Sequence, residues 1–512
     1  MTKTLRIFAK DARHLWPEIL LSLALTAGFA ATEHLGWRVY KSVNFREAET
    51  LSVWMNVLMP IAWWFLIARA IHDESLVGDR QFWVTRPYTW QRVLGAKLIF
   101  VAIFILLPFL LAECFILHQA GLHPFVVVPG LLLKLVLLFA FVLLPLLALS
   151  TVTPSLTRML LICLAVIIYI LLAVYITTAF GPAQPHWTPM GDIQLWASFL
   201  FLVPVIAAVV TLLQYARRRT LVSNWLLVGL VVLLTFAALG SVYVKHENAT
   251  AYSAPAPAEA PPLRLEFNPD PAYQSTSGQG PNKLRRNGVE DLVLFVPFHV
   301  SGIAPGHAVR LEGKSIAYEY NGGVHGKMGW YQTGEDPLAG DTQTRQEIYL
   351  PPDVYRQTAG KSITFHLTYA VSEFETELAP FTVPFNGTPI DVPQHGHCRN
   401  AIHSDEMSCQ YAIKGPQLTR ISWQLHQTCG ASSPADHADE HWIGRESSLG
   451  GFSPVVSMDN ILNADPLGRN LNGPEFCPGE PLTFTRYRLV RRRLIEVTLP
   501  PIDPQRYVSS KD

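Results

Sequence analysis

The sequence carries little charge for its length, and the two signs cancel. Its 512 residues include 40 acidic and 40 basic side chains, which together make up only 16% of the chain. A protein without a net positive field has no bulk electrostatic attraction for the phosphate backbone of nucleic acids. The composition therefore excludes nucleic-acid binding as the main function.

Motifs for catalysis are also lacking. A phosphate-binding loop needs a glycine five residues before its Gly-Lys-Ser/Thr triplet. The triplet at Gly313 has Ala308 there, and the triplet at Gly360 has Tyr355. The second half contains no Gly-x-Ser-x-Gly nucleophile elbow, and its carboxylates are scattered. We therefore predict no catalytic residue, no resident cofactor and no enzyme activity in this chain.

Long apolar runs, in contrast, fill the first half of the chain. About 20 consecutive apolar residues cross the hydrocarbon core of a bilayer as a helix, which satisfies its own backbone hydrogen bonds. We predict seven spans, near residues 17–35, 53–71, 98–117, 129–150, 159–179, 195–214 and 225–244. The predicted fold class is a polytopic α-helical membrane bundle over residues 1–244, followed by an all-β, sandwich-like soluble domain.

The positions of lysine and arginine predict the orientation of this bundle, because short cytoplasmic loops are enriched in both. The outer loops hold only Arg38, Lys41 and Arg46. The opposite side holds Lys3, Arg6, Lys10, Arg13, Arg80, Arg86, Arg92, Lys97, Arg158, Arg217, Arg218 and Arg219. We predict a multi-pass protein of a bacterial-type inner membrane, with a cytoplasmic N-terminus and an extracytoplasmic C-terminal half.

The composition changes abruptly after the last apolar run. Residues 245–262 form a Pro/Ala-rich linker, which is typical of a semi-extended spacer. Residues 263–505 show alternating, β-rich runs separated by turn-forming residues. They predict an antiparallel β-sandwich, either one domain or two with a boundary near residue 390. Residues 506–512 are a short tail.

The six cysteines divide between the two halves. Cys114 and Cys163 lie in predicted spans, where a thiol serves as a small apolar group. The other four lie in the exported half: Cys398, Cys409, Cys429 and Cys477. Four cysteines outside the cytoplasm predict two disulfides, with three possible pairings. Histidines cluster around Cys398, but a disulfide sulfur is a poor ligand, so we predict no metal site there.

Two charged residues lie within the predicted spans. Glu113 is near the outer end of the third span, and Lys134 is near the outer part of the fourth. Charges inside a membrane are costly and either pair or extend to the interface. We expect a structural role for these two side chains, and the alternative is a contact with a transported substrate.

A polar loop between the second and third spans, residues 72–97, is the most distinctive segment of the first half. Its acidic, basic and aromatic side chains suit a protein interface. The alternative is that its aromatic residues line the membrane surface and its arginines only set the orientation. The candidate docking residues are Glu74, Gly78, Arg80, Arg86, Pro87, Tyr88, Trp90 and Lys97.

This loop resembles the coupling element of membrane subunits of type-2 ATP-binding-cassette exporters. That element has an acidic residue, a glycine, a turn with proline and a lysine opening the third span. The matching positions are Glu74, Gly78, Arg86 to Thr89, and Lys97. The basic, amphipathic residues 5–13 resemble the interfacial elbow helix of the same family. Two features depart from the family pattern, namely a seventh span and a large exported β domain.

The resemblance implies a function for the chain. It would be the membrane subunit of an ATP-driven exporter, paired with a second membrane subunit such as a copy of itself. A separate cytoplasmic ATPase would dock on residues 72–97, and lipid would surround the bundle. The alternative hypothesis is a membrane-anchored binding or sensor protein, in which the β domain recognises an extracytoplasmic ligand and nothing is transported.

Overall fold

The structure of the protein is a computed structural model. It describes residues 3–33, 45–73, 89–180, 191–243, 263–269, 283–286, 289–320, 323–333, 337–350, 352–358, 360–382, 389–392, 396–400, 406–412, 419–425, 428–429, 441–443, 445–446, 452–461, 475–476, 479 and 481–504.

The described part of the first half is helical. Its α-helices are α1 (Lys3–His14), α2 (Trp16–Glu33), α3 (Phe45–His72), α4 (Trp90–Val101), α5 (Leu107–Gln119), α6 (Val128–Leu138), α7 (Leu144–Val152), α8 (Leu156–Phe180), α9 (Gly191–Arg217) and α10 (Thr220–Tyr243). The predicted order, a helical bundle followed by a β-rich half, is confirmed.

The first two helices meet at a bend of 78°. Pro17 is the second residue of α2, and a proline ring clashes with the carbonyl four residues earlier, so a straight helix cannot continue through it. Helix α1 is amphipathic and buries Ile7 and Asp11, whereas α2 is mainly apolar. The bend therefore separates a short polar helix from the first apolar helix.

Proline also shapes two apolar helix pairs further along the chain, α4 with α5 and α6 with α7. A π-helical turn, Ala102–Leu106, joins α4 to α5 just before Pro108, and a second, Phe139–Leu143, joins α6 to α7 just before Pro145. Proline cannot donate the regular backbone hydrogen bond, and a widened turn relieves its contact with the preceding turn. Each helix pair thus forms one long rod with a local distortion at mid-length.

Four helical segments are long and apolar enough to cross a membrane, counting only the described residues, or five if the bent pair of α1 and α2 forms one span. The four are Thr50–His72, Trp90–Gln119, Val128–Val152 and Leu156–Ala173. The described apolar parts of α9 and α10, Phe201–Arg217 and Thr220–Phe236, are shorter. Seven spans therefore stay a prediction.

The described part of the second half is almost entirely β-structure, apart from the short helix α11 (Pro352–Thr358). Its strands are β1 (Arg264–Phe267), β2 (Lys283–Arg286), β3 (Val289–Ser301), β4 (His307–Tyr320), β5 (Gly323–Gln332), β6 (Leu338–Ala339), β7 (Thr342–Leu350), β8 (Thr364–Thr382), β9 (Pro389–Val392), β10 (Gly396–Asn400), β11 (Glu406–Ala412), β12 (Thr419–Leu425), β13 (Thr428–Cys429), β14 (His441–Ile443), β15 (Arg445–Glu446), β16 (Val455–Ile461), β17 (Glu475–Phe476) and β18 (Pro481–Thr498).

These strands form antiparallel sheets. The largest has the order β14-β12-β18-β8-β4-β5, with β6 on β4, and so contains strands from both sides of residue 390. A second sheet has the order β1-β3-β2, with β7 on β3, and a third has the order β15-β16-β11-β10-β9. The remaining strands, β13 and β17, pair with each other.

The first two sheets pack against each other through a common apolar core. Phe298 of β3 and Tyr369 of β8 are both fully buried, and their rings meet edge to face with centroids 6.2 Å apart. Leu294 and Val296 from β3 join Leu311 from β4 in the same cluster. Alternating apolar side chains thus close a two-layered β-structure, which is the arrangement expected for a sandwich.

Glu373 of β8 holds two arginines of the neighbouring strand β18. A β-bulge between Leu489 and Arg491 sets the register so that Arg491 lies opposite Glu373. The Nε atom of Arg491 lies 2.5 Å from Oε2 of Glu373, and Nη2 of Arg493 lies 3.6 Å from the same oxygen. Burial lowers the pKa of Arg493, and repulsion from Arg491 lowers it further. One carboxylate therefore neutralises two partly desolvated cations.

We expect Glu373→Gln to lower the stability of the β domain by about 2 kcal/mol, because two cations would lose their shared anion away from bulk water. Glu375 provides a matched control. It pairs with Arg488 on the same strands, and that guanidinium lowers the pKa of its carboxyl, but the pair is exposed. Glu375→Gln should therefore change little. Thermal unfolding of the full-length protein checks this, and equal losses in both variants would contradict it.

Candidate functional site

Two polar clusters lie at opposite ends of the helical bundle. The loop-side cluster is built on Asp11 of α1 and Lys97 of α4. The Nζ atom of Lys97 lies 2.7 Å from Oδ2 of Asp11 and donates to the carbonyl of Ala70 of α3, also at 2.7 Å. Both charged side chains are almost completely buried, at 2% and 1% exposure. This ion pair therefore binds α1 to two of the apolar helices.

The sequence of α1 explains why Asp11 points inward. Ile7 and Asp11 are four residues apart and share one helix face. Ile7 packs in an apolar cluster with Val93, Leu94 and Tyr215, and Trp90 lies against the cluster's edge. The apolar contacts hold α1 against α4 and α9. Because Asp11 lies on the same face of α1, it is placed beside Lys97.

Helix α1 also holds the residue at which the polar loop begins. Asp73 follows α3, and its carboxylate lies 3.4 Å from Nε2 of His14 and 3.8 Å from Nζ of Lys10. Further along the same loop, Thr89 is the last residue before α4. Asp73 thus contacts α1 directly, and Thr89 precedes a helix that packs against α1.

Of the eight predicted docking residues, two lie in the described part of the chain and six do not. Glu74, Gly78, Arg80, Arg86, Pro87 and Tyr88 lie outside the described residues. Trp90 is partly buried beside α1. Lys97 is enclosed within the bundle, so its amine is not available to a partner in this structure. Its role here is to hold α1 in place.

The β-side cluster contains the two intramembrane charges noted in the sequence. Nζ of Lys134 in α6 lies 2.6 Å from Oε1 of Glu113 in α5, and Glu113 is fully buried. The two side chains thus form an ion pair across the α5–α6 hairpin. Pairing offsets the cost of removing each charge from water, which favours the pair over separate extension to the interface.

A short segment of the β-rich half enters this cluster. The backbone carbonyl of Phe452 accepts a hydrogen bond from Nζ of Lys134 at 2.6 Å, and its N–H donates to Oδ1 of Asn56 in α3 at 3.3 Å. Ser453 lies close to the carboxylate of Glu33 at the end of α2. Ser52 donates to the same carboxylate at 3.1 Å. Both backbone polar groups of Phe452 are therefore bound by side chains of the bundle.

The side chain of Phe452 packs between aromatic rings of the bundle. Its ring centroid lies 5.7 Å from that of Trp63 in α3 and 6.1 Å from that of Phe109 in α5, both in edge-to-face geometry. Nζ of Lys134 lies 5.5 Å from the centroid of the Phe109 ring. Val455 is buried in the same apolar core. The β-rich half is thus joined to the bundle by both apolar and polar contacts.

Several residues of this site were missed by sequence reasoning. Glu33 and Asn56 gave a usable signal, since each is a polar residue within an apolar run, where polar side chains are costly. Phe452 and Ser453 gave none, because one aromatic residue in a Gly- and Pro-containing segment is common on any surface. Their partners lie hundreds of residues earlier in the chain, and only folding brings them together.

The cysteines of the β-rich half lie in or beside paired strands. Cys398 of β10 is directly opposite Cys409 of β11 in the antiparallel register. Cys429 of β13 is opposite Glu475 of β17. Cys477 lies outside the described residues. In the part of the chain that the structure describes, no group of three or more His, Cys, Asp or Glu side chains could hold a metal ion.

Comparison with known proteins does not assign the chain to a family. No protein-family model matches the sequence, and no curated protein is significantly similar to it.

We expect Lys97→Met and Asp11→Asn each to lower the stability of the bundle by about 3–5 kcal/mol, because each leaves a buried polar or charged group without its partner. The double variant should recover much of this loss, since neither charge then remains. Thermal unfolding in detergent, followed by size-exclusion chromatography, checks this. Additive losses in the double variant would show that the two side chains do not interact energetically.

Proposed function

We propose that the chain is the membrane subunit of an ATP-driven exporter of the type-2 ATP-binding-cassette class. The observation that carries the proposal is the position of α1. This amphipathic helix is bent away from α2, contacts Asp73 near the start of the polar loop and is bound to Lys97 at the end of that loop. An ATPase that pushes on residues 72–97 would act on a segment whose flanking helices are held together.

Helix α3 and the α4–α5 rod could transmit a displacement of residues 72–97 to the other end of the bundle. Lys97 and Glu113 lie on the α4–α5 rod, 16 positions apart, which corresponds to about 24 Å along a helix. Ala70 of the loop-side cluster and Asn56 of the β-side cluster lie on α3. Displacement of α3 or α4 at one end would therefore alter the β-side cluster at the other end.

The proposed arrangement has seven spans, with the N-terminus in the cytoplasm and the β domain outside. The exporter would contain two membrane subunits, such as two copies of this chain, and two ATPase chains. Large apolar side chains of α8, including Leu161, Ile168 and Tyr175, are exposed in the single chain. Such a surface suits either lipid or a second membrane subunit.

A second candidate function is a membrane-anchored binding or sensor protein. It is favoured by the insertion of Phe452 into the bundle, because ligand binding to the β domain could then be transmitted directly to the helices. This hypothesis requires no ATPase. The two functions therefore differ in whether an ATPase must co-purify with the chain.

We expect Glu74→Lys and Arg86→Glu each to abolish co-purification of a cytoplasmic ATPase with the tagged chain, because charge reversal at an interface places like charges together. Membrane insertion should be unchanged. Arg158→Glu is the matched control, since Arg158 is exposed on the same expected side but lies outside the loop. Affinity purification in mild detergent with an ATPase assay is the measurement.

The outcomes separate the two functions. Loss of the ATPase in both loop variants, with retention in the control, supports the exporter. Normal association of both loop variants would remove the docking role of residues 72–97. A wild-type chain that purifies alone, under conditions that preserve known complexes of this class, would favour the sensor.

We further propose that Cys398 and Cys409 form a disulfide, which would leave Cys429 to pair with Cys477. Residues directly opposite in an antiparallel pair have Cα atoms about 4.5–5.5 Å apart, within the range that a disulfide spans. An oxidising compartment would be required for these bonds, in agreement with an exported β domain.

Peptide mapping of the unreduced protein should therefore yield a cross-linked pair containing residues 398 and 409. The single variants Cys398→Ser and Cys409→Ser should each free one thiol in that pair and leave the other bridge intact. A bridge from Cys398 to Cys429 or to Cys477 would contradict the pairing.

A further inference from the structure

We propose that the β-side cluster is a binding pocket for an extended, neutral or cationic peptide with an aromatic side chain, and that residues 452–453 of the chain itself occupy it in this structure. The β domain and the peptide would then compete for one pocket. The proposal rests on the contacts of the pocket and does not depend on an ATPase partner.

Side chains of the bundle contact this segment on several sides. Asn56 and Trp63 lie on α3, Phe109 and Glu113 on α5, and Lys134 on α6. Phe452 contributes an aromatic ring that packs on Trp63 and Phe109, a carbonyl that accepts from Lys134 and an N–H that donates to Asn56. These are the groups that any peptide containing an aromatic residue would offer, so the pocket recognises features that are not unique to this segment.

The pocket also contains polar atoms that residues 452–453 do not satisfy. Oε2 of Glu113 and Nε1 of Trp63 are both buried, and neither has a hydrogen-bond partner among the described residues. A buried polar atom without a partner costs free energy, and native proteins contain few of them. A ligand with one further donor and one further acceptor would satisfy both atoms.

The charges indicate which ligands fit. Two carboxyl groups, from Glu33 and Glu113, lie near one amine, from Lys134. This excess of acidic groups disfavours an anionic phospholipid headgroup and favours a neutral or cationic molecule. The hydrogen bond from the N–H of Phe452 to Asn56 requires a donor on the ligand, and a peptide amide provides one next to a carbonyl acceptor. A peptide therefore matches the pocket better than a phospholipid does.

The test uses a fluorescently labelled peptide that copies residues 451–455, acetyl-Gly-Phe-Ser-Pro-Val-amide, and the full-length protein in neutral lipid nanodiscs. Phe452→Ala should bind this peptide about tenfold or more tightly than wild type does, because in wild type a tethered competitor acts at roughly millimolar effective concentration. The same peptide with alanine in place of phenylalanine should bind neither protein. Fluorescence anisotropy gives both affinities.

Two second-site variants in the Phe452→Ala protein locate the binding. Asn56→Ala should weaken binding about tenfold, since it removes the acceptor for the peptide N–H. Phe115→Ala, on an exposed position of α5, should leave binding unchanged. Equal affinities of wild type and Phe452→Ala, or equal effects of these two second-site changes, would overturn the proposal.

A cross-linking measurement keeps the test decisive if Phe452→Ala does not fold. A peptide carrying benzoylphenylalanine at the aromatic position, added in excess to wild type, should label α3 near Trp63 or α5 near Phe109. Labelling only elsewhere would overturn the proposal. Displacement of the peptide by phosphatidylglycerol, but not by phosphatidylcholine, would assign the pocket to an anionic lipid and would also overturn it.

Discussion

The high cost of an unpaired charge inside an apolar bundle governs how this protein is assembled. Lys97 and Lys134 each extend a positive charge from a largely apolar helix, and each is matched by a carboxylate from a different helix. A buried ion pair is weak evidence of added stability, but an unmatched buried charge is strongly destabilising. Each pair therefore favours a helix packing in which its two charges meet.

Apolar contacts and ion pairs have separate roles in this packing. Aromatic residues such as Phe100 and Phe109 fill the interior of the bundle, but apolar burial is less directional than an ion pair. The Asp11–Lys97 pair fixes where α1 lies on α4, and the Glu113–Lys134 pair fixes how α5 meets α6. The distortions before Pro108 and Pro145 place a widened turn near the middle of each long rod.

The contact of Phe452 with the bundle makes the two halves of the chain interdependent. Asn56 and Lys134 bind a backbone amide and carbonyl, so this contact depends on the path of the chain as well as on the side chain at position 452. A movement of α3 or α6 would alter these hydrogen bonds directly. Under either proposed function, the contact of Phe452 with Asn56 and Lys134 would couple movements of the β domain to movements of the helices.

Much of the architecture is readable from sequence because it depends on local chemistry. Apolar runs indicate helices, alternation indicates strands, and the nearby positions of Glu113 and Lys134 on consecutive helices allow their pairing to be anticipated. Tertiary structure alone decided that Asp11 is the partner of Lys97, which turns an expected docking residue into an internal one. It also decided that Phe452 enters the bundle. Both contacts join residues far apart in the chain, and no local pattern encodes a partner that becomes a neighbour only when the helices and sheets pack.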